Sequence, residues 1–283
     1  MKKLAVRKED LKYNLNLIKN KLSEKAGIIA VVKANGMGLD LVQYTKFLVE
    51  EGIDFFGVAN TNEAIMLRQS GIYKKILMLS EVINPEEIEQ LIINHVILTV
   101  GTLEEKKIIE GIARRLNQQA RVHIKIDTGF ARFGFLYSDE KILEAVQNTE
   151  YITVTGWFTH FSKPIDEKWT RLQFSRFKDN MDKIKEINPE VKFHCCGSTG
   201  FLKYEDMWLD FVRLGSCIQG RVLENNLGFR RIGWLQTEII KISDIKKGYN
   251  ISYSNEFKAP KNMRIAVIGV RLYRWFQLKE SKR

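Results

Sequence analysis

Eight short runs rich in Ile, Val and Phe punctuate the first three quarters of the chain: IIAVVK (28–33), DFFGVA (54–59), KILMLS (75–80), HVILTV (95–100), VHIKID (122–127), ITVTGWFTH (152–160), VKFHCC (191–196) and DFVRLG (210–215). Between them lie charged segments such as LDLVQYTKFLVEEG and NEAIMLRQSGIYK, with apolar residues at helical spacing and a glycine near the end. Each pair reads as a strand followed by a helix, and eight such units are the count of a (β/α)8 barrel of the TIM type. No low-complexity linker interrupts the series.

The texture changes after about residue 225. GWLQTEIIKISDIKKGYNISYSNEF and NMRIAVIGV alternate apolar and polar residues around a Lys-Gly turn, a pattern of antiparallel strands exposed on one face. The expected organisation is a barrel over residues 1–228, the start of an incomplete antiparallel β domain over 229–270, and an aberrant tail over 271–283. A chain of 283 residues can bury a barrel core and a smaller partner beside it.

Composition removes several function classes. No apolar stretch is long enough to span a bilayer, and the amino terminus MKKLAVRKEDLKYNLN turns charged before a signal-like segment forms. A cytoplasmic location is expected. Cys195, Cys196 and Cys217 suit a reducing compartment, and the adjacent pair lacks metal-ligand spacing. The net charge of +11 comes from lysines spread along the whole chain. With no arginine cluster interleaved with aromatics, it reads as a basic surface rather than a nucleic-acid interface.

In a barrel of this kind the functional site sits where the strands end, and chemically capable residues gather there. Lys33 ends the first run, Lys125 and Asp127 the fifth, with Arg132 in the loop beyond. His160 ends the sixth, Ser198 follows the seventh, and Arg213 with Gly215 closes the eighth. Taken singly, a strand-end lysine is ordinarily a solubilising residue and a lone histidine a satisfied core group. Together they form a constellation. A lysine whose pKa is lowered by burial and neighbouring cations forms a Schiff base with a carbonyl compound. Pyridoxal phosphate (PLP) is the obvious carbonyl partner, because GSTG (197–200) and RLGS (213–216) offer a hydroxyl and free backbone N–H groups to a phosphate.

The motifs AVVKANGMG, VHIKIDTGFARFGF, GWFTHFS, GSTG, VRLGS and ISYSNEF stand in the order and spacing of the alanine racemase family, the fold-type III PLP enzymes, and the chain resembles that family from about Lys8 to Val270. The resemblance implies PLP carried on Lys33, a β domain after the barrel, and a head-to-tail homodimer acting on a small amino acid, alanine or serine. It implies two acid/base groups on opposite faces of the substrate, Lys33 and, from the partner subunit, Tyr253. By spacing alone Tyr253 is a cross-strand packing residue. Arg213 resembles the arginine that faces the pyridine nitrogen, and His160 would join its network. Arg132 would meet the cofactor's phenolic oxygen and the substrate carboxylate. Lys125 matches a lysine carbamylated in some members; Ser198, Gly215 and Ser216 would hold the phosphate.

Four positions depart from the pattern. Met37 stands where the family usually has a phosphate-binding tyrosine, Leu39 where it has a histidine, Gly197 where it has an asparagine, and Gln219 where it has a tyrosine. After RIAVIGV the family continues with Gly-Tyr-x-Asp-Gly, whereas this chain reads RLYRWFQLKESKR. A one-base shift in suitable codons for RLYRW regenerates that motif, so a frameshifted, foreign tail and impaired turnover are expected. A non-catalytic PLP-binding homeostasis protein, built on a similar single barrel, is the alternative.

Overall fold

The computed structural model describes residues 3–223, 226–251, 255 and 257–269. The chain divides into two units, Lys8–Ile232 and a second one that joins Met1–Arg7 to Gly233–Arg283.

Among the described residues of the first unit, eight parallel strands form the main path of the sheet: β1 (Gly27–Val31), β2 (Phe55–Val58), β3 (Lys75–Glu81), β4 (Ile97–Val100), β5 (Ala120–Asp127), β6 (Ile152–Phe158), β7 (Lys192–His194) and β8 (Phe211–Leu214), with the two-residue strand Phe135–Leu136 paired to β5 off that path. Their order, β8-β1-β2-β3-β4-β5-β6-β7, follows the sequence and brings first and last side by side. At the β7–β8 seam the Arg213 N–H donates to the Cys196 carbonyl at 2.9 Å and the Phe193 N–H to the Asp210 carboxylate at 2.8 Å. The result is a nearly closed TIM-type barrel. Helices between the strands begin on residues suited to their role. Asn60, Thr102 and Asp166 each accept the backbone N–H three residues on, which starts the helices Thr61–Gln69, Leu103–Leu116 and Glu167–Lys178.

Strand periodicity sorts the core into two layers. Ile29, Phe55, Leu77 and Ile97 point to the barrel axis and form a small cluster of their own. Their neighbours Ala30, Phe56, Ile76 and Leu98 join the large shell packed under the helices. On β5 the inward parity carries His123 and Lys125, both buried. The register sets His123 opposite Gly156 and Lys125 opposite Phe158, and Phe158 in turn opposite His194. A Cβ on Gly156 would lie 2.4 Å from the His123 ring, so only glycine leaves room for that imidazole.

Two strand ends differ from the sequence reading. β1 stops at Val31 and β6 at Phe158, so Lys33 and His160 sit two residues past their strands, in the loops that roof the barrel.

In the second unit, Ile239–Ile245 pairs antiparallel with Met263–Ile268, and Asn250–Ile251 with Phe257–Lys258. Gly248 supplies the expected Lys-Gly turn, at φ +87°. Lys3–Val6, placed in the barrel from sequence, pairs antiparallel with Gly233–Gln236. Tyr253 and the 271–283 tail lie outside the described residues. Among the described residues no helix is long and apolar enough to cross a membrane.

Candidate functional site

The chain leaves β1 through an unusual turn. Ala34, Asn35, Gly36, Met37 and Gly38 all have positive φ, between 53° and 90°, a left-handed run that costs an L-residue about 1 kcal/mol or more per position. Side-chain hydrogen bonds hold it. The Glu63 carboxylate accepts the N–H groups of Asn35 and Ala59, each at 3.1 Å. The Asn35 side chain accepts from the Leu41 N–H at 3.0 Å, and Gln219 donates to the Gly36 carbonyl at 3.0 Å. The turn places Lys33 over the barrel mouth.

There a cavity of about 610 Å³ opens. Lys33, Lys125, Arg132, His160, Ser198, Arg213, Gly215 and Ser216 all line it. Of the strand-end candidates and the residues the resemblance adds, these eight converge on one space; Asp127 lies beneath it, bonded to its own loop, and Tyr253 is outside the described residues. Of the four departing positions, Met37 and Gly197 also face it.

Arg213 is buried at the floor and its guanidinium is heavily committed. One terminal nitrogen donates to His194 Nδ1 at 2.7 Å and to the His194 carbonyl at 3.0 Å. The other reaches the Thr159 and Cys195 carbonyls, at 2.7 and 3.0 Å, and His160 Nδ1 at 3.0 Å. Among the described residues its Nε–H has no acceptor. A guanidinium only donates, so both histidines must accept through Nδ1 and carry their proton on Nε2. His194 passes that proton on to His123 Nδ1, 3.0 Å away. Burial, reinforced by Arg213, lowers the pKa of His160 and His123 to about 3 and that of His194 well below the usual value. All three are neutral at physiological pH. Burial also brings Arg213 down to about 10, and it stays a cation.

His123 and His194 stand within two of the strand runs, and residue type alone assigns them no role. Their signal was parity: His123 lies two residues before Lys125 on β5, and on β7 the residue that faces the barrel axis is His194.

Lys125 is pushed down to about 7, first by burial and then by Arg213 and Arg132. Its ammonium lies 4.8 Å from the Phe158 ring centre. Beside it Glu81 is raised to about 7 by burial and then by Glu105, and one of its oxygens is buried with no hydrogen-bond partner. Burial would also raise Asp127, but the N–H groups of Gly129, Phe130 and Arg132, at 2.8, 2.7 and 3.0 Å, more than reverse this. The carboxylate so shapes the loop that carries Arg132 over the Phe130 ring, 4.3 Å from its centre.

At the opposite wall the Ser198 hydroxyl accepts the N–H groups of Gly215 and Cys217, both at 3.3 Å, which leaves its own proton free to donate. A Cβ on Gly215 would lie 2.6 Å from Met37 Sδ, so glycine at this position lets the Met37 thioether pack against the wall. No carboxylate is found among the described residues lining the cavity, against four cationic side chains and the Lys125 amine. The space suits an anionic ligand with an aromatic body and a carbonyl within reach of an amine.

Residues 6–221 match the family model for the alanine racemase N-terminal domain. Alanine racemase 1 of Oceanobacillus iheyensis is 32% identical over 270 residues, covering 92% of this chain and 71% of the relative. An alanine racemase of Borreliella burgdorferi is 31% identical over 277 residues, covering 95% and 74%. The solved alanine racemase of Clostridium difficile 630 superposes with a TM-score of 0.85 at 32% identity, covering 94% of this chain and 72% of that one.

Proposed function

The chain belongs to the alanine racemase family, a family of isomerases, and from that premise we propose that it interconverts the enantiomers of alanine, or of a similarly small amino acid such as serine, with pyridoxal phosphate as cofactor. The observation that carries this is the convergence of Lys33, Arg213 and Ser198 on one cation-lined cavity.

The residues present fit that cofactor. Lys33 would hold it covalently through its amine; Ser198, Gly215 and Ser216 would take the phosphate; and the remaining Nε–H of Arg213 is a donor for the pyridine nitrogen. When bound, pyridoxal phosphate supplies an electron sink that acidifies the substrate's Cα–H. Everything else falls to the chain. The Arg213 guanidinium, whose two terminal nitrogens face five acceptors, does not surrender its proton, and beside the ring nitrogen it would limit how far negative charge drains away from Cα. Arg132 orients the substrate carboxylate. The Lys33 amine takes or returns the proton on one face, and Tyr253 serves the other from the partner subunit of a homodimer. The unprotonated amine of Lys125 is chemically able to add carbon dioxide, as the resemblance implies, and would then position Arg132.

The test is conversion of L- to D-alanine by protein purified with pyridoxal phosphate in a host lacking its own racemase. Wild type should convert and bind the cofactor in a borohydride-fixable form; Lys33→Ala should do neither. Mixing inactive Lys33→Ala and Tyr253→Phe chains should restore about a quarter of wild-type activity, since half the dimers then hold one intact site of two. Cofactor binding without turnover in wild type would count against a working racemase and for the impaired turnover or the non-catalytic alternative expected from sequence. Unrestored activity in the mixture would refute the shared site.

A further inference from the structure

Where the family usually places a phosphate-binding tyrosine this chain has Met37, whose thioether is a weak acceptor and cannot donate to a phosphate oxygen. The same end of the cavity holds a cation that the sequence reading passed over. We propose that Arg221 is a phosphate anchor of this chain, replacing with a guanidinium the hydroxyl donor absent at Met37. The inference rests on the cofactor reading above.

Three observations place it. Arg221 lines the cavity together with Ser198, Gly215 and Ser216. Its Nη2 donates to the Met37 carbonyl at 3.3 Å, which ties the guanidinium to the left-handed turn and to the side of Gly215 on which Met37 Sδ packs. Among the described residues that carbonyl is the guanidinium's one hydrogen-bond acceptor, and no carboxylate pairs with it. The remaining N–H donors of its planar fork suit two oxygens of a phosphate monoester dianion. A tyrosine hydroxyl offers the phosphate one neutral donor; Arg221 offers several and a charge. Neighbouring Gln219, in place of the family's usual tyrosine, braces the same turn through the Gly36 carbonyl at 3.0 Å.

The experiment compares two ligands that differ only in the phosphate, pyridoxal phosphate and pyridoxal, titrated into stripped protein and followed by absorbance and by thermal midpoint. Arg221→Ala should weaken pyridoxal phosphate by about ten- to a hundredfold, the range for losing a charge-assisted bond, and leave pyridoxal unchanged. Inorganic phosphate should compete with pyridoxal phosphate on wild type and much less on the variant. Arg221→Lys should recover part of the loss, and in Arg221→Ala the added change Met37→Tyr should recover part of it through the hydroxyl. Arg221 is exposed, so an unchanged midpoint of the stripped variant is expected and certifies its fold. Equal weakening of both ligands, or no weakening of pyridoxal phosphate, overturns the proposal. Wild type that binds neither aldehyde refutes the cofactor reading itself, and the inference with it.

Discussion

At the residue scale, Lys125 is the group whose charge state the fold changes in the working pH range. Its pKa of about 7 in the folded chain lies below the 10.5 of a free lysine, so between these values the unfolded chain binds the extra proton. Stability therefore rises with pH across that window. The cost of holding the ammonium is fully present below pH 7 and is gone near pH 10.5. Glu81, raised to about 7 from 4.5, acts in the opposite sense and below pH 7, which leaves the upper window to Lys125. Urea unfolding of stripped protein between pH 7 and 10 should show wild type gaining roughly 2–4 kcal/mol relative to Lys125→Met. Parallel profiles for the two proteins would place Lys125 in water-like surroundings. The candidate residues themselves were legible because chemistry at strand ends is visible as residue type: Lys33, Lys125, Arg132, His160, Ser198 and Arg213 were all found in sequence and all line one cavity. What could not be read was that the imidazoles of His123 and His194 stand 3.0 Å apart, since this depends on a register that only the closed barrel sets.

At the element scale, the left-handed turn after β1 is held from outside itself. Glu63 begins no chemistry, yet its two oxygens satisfy backbone N–H groups from two successive βα loops, those of Asn35 and Ala59. Replacing it with glutamine leaves one acceptor oxygen and turns an NH₂ group against the second N–H. Glu63→Gln should cost about 1–3 kcal/mol of stability and weaken cofactor binding through the displaced turn, although residue 63 is not among those lining the cavity. Calorimetry and aldehyde titration check the two halves; a variant stable and tight as wild type would show that the turn holds its shape unaided. Strand and helix order was readable, because uninterrupted apolar runs and amphipathic spacing are local signals. The strand limits at Val31 and Phe158 were not. Val32 and Thr159 continue the apolar, β-branched texture, and it is the loop geometry beyond that ends the ladder. The turn's positive φ angles were equally hidden, as Ala34 and Met37 are residues that ordinarily avoid them.

At the scale of the whole molecule, the two units differ in how much local sequence says about them. The antiparallel texture after Gly233 was evident from alternation, and its ribbons form between close neighbours in sequence. The pairing of Lys3–Val6 with Gly233–Gln236 joins segments about 230 residues apart in sequence through four residues a side, and no local pattern announces such a partner. The larger consequence concerns the barrel mouth. Lys33, Lys125, Arg132, Arg213 and Arg221 face one cavity with no carboxylate among its described lining residues, on a chain whose net charge is already +11. Without an anion the stripped barrel bears that mutual repulsion alone. Ionic strength should then do part of a ligand's work: at about 0.1 M salt the screening length is near 10 Å, comparable with the span of the mouth. Thermal midpoints measured from low to high sodium chloride should climb more steeply for the stripped chain than for the loaded one, and the two curves should draw together. Parallel salt dependences would mean that the mouth is neutralised from elsewhere. Convergence would make this protein one whose demand for its cofactor is set in part by the saltiness of its surroundings.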